Sequence, residues 1–227
     1  MKLKSFGCSL IFGTDLHDDG HGTEFATPSK FSWPALVAKS LGYTYECYAR
    51  PGSGNLQIWE RLINALSADP EPALYVIGWT WIDRFDYIRA DSAPWPGGGA
   101  RWSTIMPVDV DTVAKYYYRD LHSEHRDKLT TLQSIKSSID ILQSKNQKFI
   151  MTSMDDLVLD QRWNISPGMI PIQNEIKDYL TAFDGKNIVE YSKARGHEIS
   201  PTMHPLESAH EDVARLVLDN LNDYIKS

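Results

Sequence analysis

Short β-prone runs alternate with amphipathic helical patterns along almost the whole chain, and this alternation restricts the fold more than any other feature. Strand-like runs fall at residues 3–9, 43–48, 73–79, 148–153 and 187–191, each rich in β-branched or aromatic residues and bounded by Gly, Pro, Asn or Asp. Between them, residues 33–41 follow Ser32 and carry Pro34 in a first helical turn. Residues 56–66 set Trp59, Leu62, Ile63 and Leu66 at the spacing of one buried helical stripe. Leu129, Leu132, Ile135, Ile139 and Leu142 repeat that stripe, and a last helix beginning near Pro205 or Leu206 gathers Val213, Leu216, Val217, Leu221, Tyr224 and Ile225 on one face. Strand and helix in alternation predict an α/β domain with a mostly parallel, five-stranded central sheet covered on both faces. With 227 residues, 42% of them hydrophobic, and no internal repeat or linker, the expectation is a single domain over residues 1–227.

The rhythm breaks once, over about residues 79–127, where "APWPGGGARW" and "AKYYYRDLHSEH" replace strand logic. So long an aromatic-rich insertion reads as a lid or binding wall over a functional cleft.

Charge and composition exclude several classes. Lys and Arg total 23 against 30 Asp and Glu, a net charge of -7, which argues against a surface that tracks nucleic-acid phosphates. No run reaches the roughly 18 to 20 apolar residues of a membrane span, and no secretory leader is legible. The expectation is a cytoplasmic protein with no nucleic-acid or membrane partner; its oligomeric state is not legible. Cys8 and Cys47, both in apolar runs, are too few for a disulfide framework or a zinc cluster and read as reduced thiols. His17 and His21 flank acidic residues but lack the spacing of a zinc or EF-hand site, so neither a metal nor a cofactor is expected.

In a doubly wound sheet, ligands bind beyond the carboxyl ends of the strands. Three polar groups fall there: Ser9, residues 52–55, and residues 78–80. A serine hydroxyl needs a base to become a nucleophile, and "SPTMHPLESAH" offers His204 ahead of the last helix.

Together "FGCS" with Ser9, "RPGSGN" with Gly54, "YVIGWT" with Gly78, and "MHPLESAH" with His204 resemble, in order, the four blocks of the SGNH, or GDSL-type, hydrolase superfamily. The resemblance spans nearly the whole chain, and the short "GCS", "GSGN" and "GWT" forms are most similar in style to SGNH-like proteins of tailed bacteriophages. It implies a flavodoxin-like three-layer α/β/α sandwich, a Ser9 nucleophile and a His204 general base. It further implies an oxyanion hole from the Ser9 N–H, Gly54 and, at the third block, Thr80, with Asn55 as an alternative amide donor. The substrate class implied is a small acyl ester or an O-acetylated carbohydrate.

Three positions depart from that pattern. Cys8 stands where an aspartate precedes the serine, Thr80 replaces an asparagine, and Pro201 occupies the place of the aspartate three residues before the histidine. With Pro201 there, the expectation is a Ser–His dyad whose ring is oriented by a main-chain carbonyl. The alternative is a catalytically degraded glycan-binding or virion-associated structural protein on the same fold. Among the bland readings, Asp83, Arg84 and Asp86 form a surface ion-pair group, Trp79 and Trp81 belong to the core, and His210 serves packing or the surface.

Overall fold

The computed structural model describes residues 1–20, 27–88 and 102–227. Strand β1 (Lys2–Phe6) ends at Gly7, and the chain turns at once into a single helical turn, α1 (Ser9–Phe12). Gly7 is required by close approach: a Cβ there would lie 2.5 Å from Ile11 Cγ1 and 3.1 Å from the Gly78 carbonyl. Helix α1 therefore folds directly over the end of the strand and carries Ser9 with it.

Helix α2 (Trp33–Ser40), strand β2 (Thr44–Cys47), helix α3 (Asn55–Ala68) and strand β3 (Ala73–Trp79) follow. The insertion then contributes β4 (Phe85–Ile88), β5 (Trp102–Ile105) and α4 (Thr112–Tyr116), which leads into one π-helical turn over Tyr117–Leu121. The chain closes with α5 (Glu124–Ser144), β6 (Lys148–Ser153), α6 (Met169–Ile176), α7 (Ile188–Arg195), α8 (Glu207–Asp219) and α9 (Leu221–Tyr224).

Four parallel strands form the central sheet in the order β2-β1-β3-β6, and β4 pairs antiparallel with β5 in a separate ribbon. The sheet divides two cores by strand alternation. Leu3, Leu74, Val76 and Ile150 face a cluster with Val37 of α2, Tyr191 of α7 and Val213 of α8. Phe6, Tyr75, Ile77, Phe149 and Met151 face the other, with Ile58 and Leu62 of α3 and Ile135 of α5. This is the predicted three-layer α/β/α sandwich.

The predicted fifth strand is a helix. Asn187 caps α7, its side chain accepting from the Glu190 N–H, and Gly196 closes it in the left-handed conformation (φ 72°). Ile188, Val189, Tyr191 and Ser192 are buried, a spacing that is one helical face; the β-branched pair at its start carried the strand reading. Of the insertion, residues 89–101, including most of "APWPGGGARW", lie outside the described residues. The described part has its own small core of Ile105, Ala114 and Tyr117, with Phe85 stacked on Tyr117 at 4.0 Å. Tyr117 also donates to Asp127 of α5 (3.1 Å).

Candidate functional site

Ser9 opens α1 and is only 6% exposed. Its neighbour Cys8 precedes it in extended conformation and is buried in the core.

His204 is held by a tight turn. The Met203 N–H donates to the Ser200 carbonyl (2.9 Å), the Ser200 N–H to the His204 carbonyl (2.8 Å), and the His204 N–H to Ser200 Oγ (3.1 Å). Pro201 takes the second position of this turn, where its fixed φ is favourable and its missing N–H costs nothing. The turn places His204 Nε2 2.9 Å from Ser9 Oγ.

The other ring nitrogen does not face a main-chain carbonyl, as the sequence led us to expect. His204 Nδ1 lies 2.7 Å from Oδ2 of Asp15. Sequence reading missed this carboxylate, which reaches the ring from the opposite end of the chain. Past α1, Gly13 is left-handed (φ 82°), the Thr14 N–H returns to the Ser9 carbonyl at 3.0 Å, and Asp15 is itself left-handed (φ 70°). Aspartate tolerates that region better than most side chains, and a left-handed turn six residues after a strand-end serine was the only available signal.

Burial pushes the Asp15 carboxyl up, but hydrogen bonds from Thr202, Ser200 and His204 outweigh it and hold the pKa at about 2. Ser200 Oγ donates to Oδ2 at 2.7 Å, and the Thr202 hydroxyl donates to the same oxygen. An ionised carboxylate only accepts, so Nδ1 must carry the ring proton; Nε2 is then left with a lone pair for the Ser9 hydroxyl.

The donors expected for an oxyanion are arranged differently from the reading above. The Gly54 N–H donates to Asp86 Oδ1 at 3.0 Å. Both hydrogens of the Asn55 amide are committed, one to the Thr80 carbonyl (3.1 Å) and one to Thr131 Oγ1 (3.0 Å), while Asn55 Oδ1 accepts from the Thr80 N–H (2.8 Å). Asn55 thus ties the start of α3 to the end of β3 and has no amide hydrogen to offer a ligand. Thr80 is fully buried, and its hydroxyl has no partner among the described residues. Ser9, as the first residue of α1, keeps a backbone N–H with no acceptor inside the helix.

Asp86 corrects the surface ion-pair reading. It is 8% exposed and accepts from the Gly54 and Gln57 N–H groups, Gln57 Nε2 and Thr104 Oγ1, although burial still raises its pKa. Beneath the same turn, half-buried Arg61 donates to Ser53 Oγ (2.7 Å) and the Gly7 carbonyl (3.4 Å), tying the 50–54 loop to the end of β1. Trp79 is in the core, whereas Trp81 is exposed with the Arg84 guanidinium 4.9 Å over its ring. His210 is buried, accepting from the Trp33 N–H (3.1 Å). His17 pairs with Glu207 at 2.9 Å, and His21 lies outside the described residues. Among the described residues, no three His, Cys, Asp or Glu side chains group as metal ligands, and no helix is long and apolar enough to cross a membrane.

No protein-family model matches the sequence, and neither does the sequence of any curated protein. Solved structures match in fold. A lipolytic protein of the G-D-S-L family from Veillonella parvula is 11% identical with a TM-score of 0.50, over 98% of this chain and 98% of that one. TesA is 16% identical with a TM-score of 0.52, over 97% of this chain and 98% of that one. The acetyl xylan esterase Est2A from Butyrivibrio proteoclasticus is 13% identical with a TM-score of 0.52, over 98% of this chain and 63% of that one. The chain has the fold of the SGNH, or GDSL-type, hydrolases.

Proposed function

We propose that this protein is a serine esterase-like hydrolase of small acyl esters or O-acetylated carbohydrate, with Ser9 as nucleophile and His204 as general base. The observation that carries the proposal is the 2.9 Å approach of His204 Nε2 to Ser9 Oγ at the carboxyl end of the sheet, where an α/β fold of this kind binds ligands.

Ser9 Oγ attacks the acyl carbonyl carbon while Nε2 takes the hydroxyl proton. Collapse of the tetrahedral intermediate breaks the bond to the alcohol oxygen, which receives that proton from the imidazolium. Water, deprotonated by the same nitrogen, then attacks the acyl-enzyme, releases the carboxylic acid and restores the Ser9 hydroxyl. The Ser9 N–H, which has no acceptor inside α1, would serve the developing oxyanion. Incubation with short-chain aryl esters and O-acetylated oligosaccharides tests the reading: release of alcohol or acetate that Ser9→Ala abolishes supports it, and a rate indifferent to that change ends it.

A binding-only reading draws on the engagement of Gly54 and Asn55, which leaves few donors for an oxyanion. Saturable glycan binding by a protein that releases no acid would favour it.

A further inference from the structure

We propose that Asp15 is the positioning acid of this site, doing from the end of α1 what a carboxylate at position 201 would otherwise do. The inference rests on the hydrolase reading for its catalytic consequence, but the contact is testable without turnover.

The geometry has three parts. Asp15 Oδ2 lies 2.7 Å from His204 Nδ1, while His204 Nε2 lies 2.9 Å from Ser9 Oγ, so the three side chains form one unbroken hydrogen-bonded line. The carboxylate is braced, with the Ser200 and Thr202 hydroxyls donating to the same oxygen as the ring. It is also anchored, since the Asp15 N–H donates to Asp19 Oδ2 at 2.7 Å. Two of these braces come from the very turn that carries His204, so the loop that lacks an acid is built to receive one. Pro201 shapes that turn and Asp15 supplies its charge.

The chemistry follows from the line of contacts. A carboxylate on Nδ1 selects the tautomer that leaves Nε2 basic, and it stabilises the imidazolium formed when Ser9 gives up its proton. A dyad with a main-chain carbonyl would do the first and much less of the second.

Asp15→Asn is the informative change, because asparagine keeps the size and tolerates the left-handed backbone that alanine would strain. Two readouts are taken: kcat and KM on an aryl ester, and the His204 Nδ1 proton resonance by NMR. The expected result is a kcat lower by about 10² to 10⁴ with KM little changed, and an Nδ1 proton resonance moved upfield of its wild-type position as the charged acceptor is lost. Asp15→Glu is expected to recover part of kcat. An Nδ1 resonance at its wild-type position in Asp15→Asn overturns the proposal, as does an unchanged kcat. In the wild-type protein alone, the His204 Nδ1 proton should give a strongly downfield NMR resonance; its absence likewise overturns the proposal, even where Asp15→Asn fails to fold. Should the wild type hydrolyse no ester, the hydrolase reading fails while the resonance in the wild type and in Asp15→Asn still decides whether Asp15 holds the ring.

Discussion

Ser9 and His204 lie 195 residues apart in the chain and 2.9 Å apart at Oγ and Nε2. Each is delivered by a different device: the serine by a strand that stops at a glycine and turns straight into a helix, the histidine by a four-residue turn before α8. The line of contacts continues to Asp15, so both ends of the chain meet in one site.

Ser9→Ala and His204→Ala should each abolish ester hydrolysis by a similar factor, of order 10³ or more, and the double variant should lose little beyond either single one, because the two groups act as a unit. Kinetics on a chromogenic acetate ester check this. Additive losses in the double variant would show that the residues act separately.

Gly54→Ala should destabilise the protein by about 1–3 kcal/mol. A Cβ at Gly54 would sit 2.5 Å from Asp86 Oδ2, and that carboxylate cannot retreat without abandoning its contacts to α3 and Thr104. Urea denaturation measures the cost, and a change below about 0.5 kcal/mol would mean that Asp86 yields freely.

Arg61→Lys should cost about 1–3 kcal/mol and slow hydrolysis, since a lysine cannot reproduce the forked contacts to Ser53, Gly7 and Gln57. Burial, with the Arg50 charge beside it, holds the Arg61 pKa down at about 10, so the guanidinium stays charged at neutral pH. Wild-type stability and rate in the lysine variant would remove Arg61 from the support of the 50–54 loop.

Acid should destabilise the fold through His210. Burial lowers its pKa from 6.5 to about 4, so the unfolded chain binds the extra proton first. The associated stability is complete above pH 6.5 and is lost as the pH falls toward 4, on the order of 3 kcal/mol in total. Denaturation curves across that window should flatten in His210→Gln relative to the wild type. Parallel curves would assign the acid sensitivity elsewhere.

What the sequence determined by itself was local. Hydrophobic periodicity located β3 and β6 to the residue, α2 and α3 to within two positions, the buried stripe of α5 and the start of α8, because each of those stripes is long enough to be buried in only one way; the single last helix it implied breaks at Asn220 into α8 and α9. The serine after the first strand and the histidine ahead of the last helix were legible for the same reason, both lying at the ends of strongly patterned elements, although Ser9 opens α1 instead of ending the strand as the run 3–9 implied. Residues 188–192 were not legible, because a short run of β-branched residues fits a strand or a buried helical face, and only the Asn187 cap and packing beside α8 choose between them. The roles of Gly54, Asn55 and Asp86 were likewise decided by tertiary structure, since whether a donor is free depends on which acceptor folds onto it. Asp15 is the plainest case. Its proximity to His204 arises from a left-handed turn at one end of the chain and a proline-shaped turn at the other, and hydrogen bonding between groups 189 residues apart leaves no periodic trace in either segment.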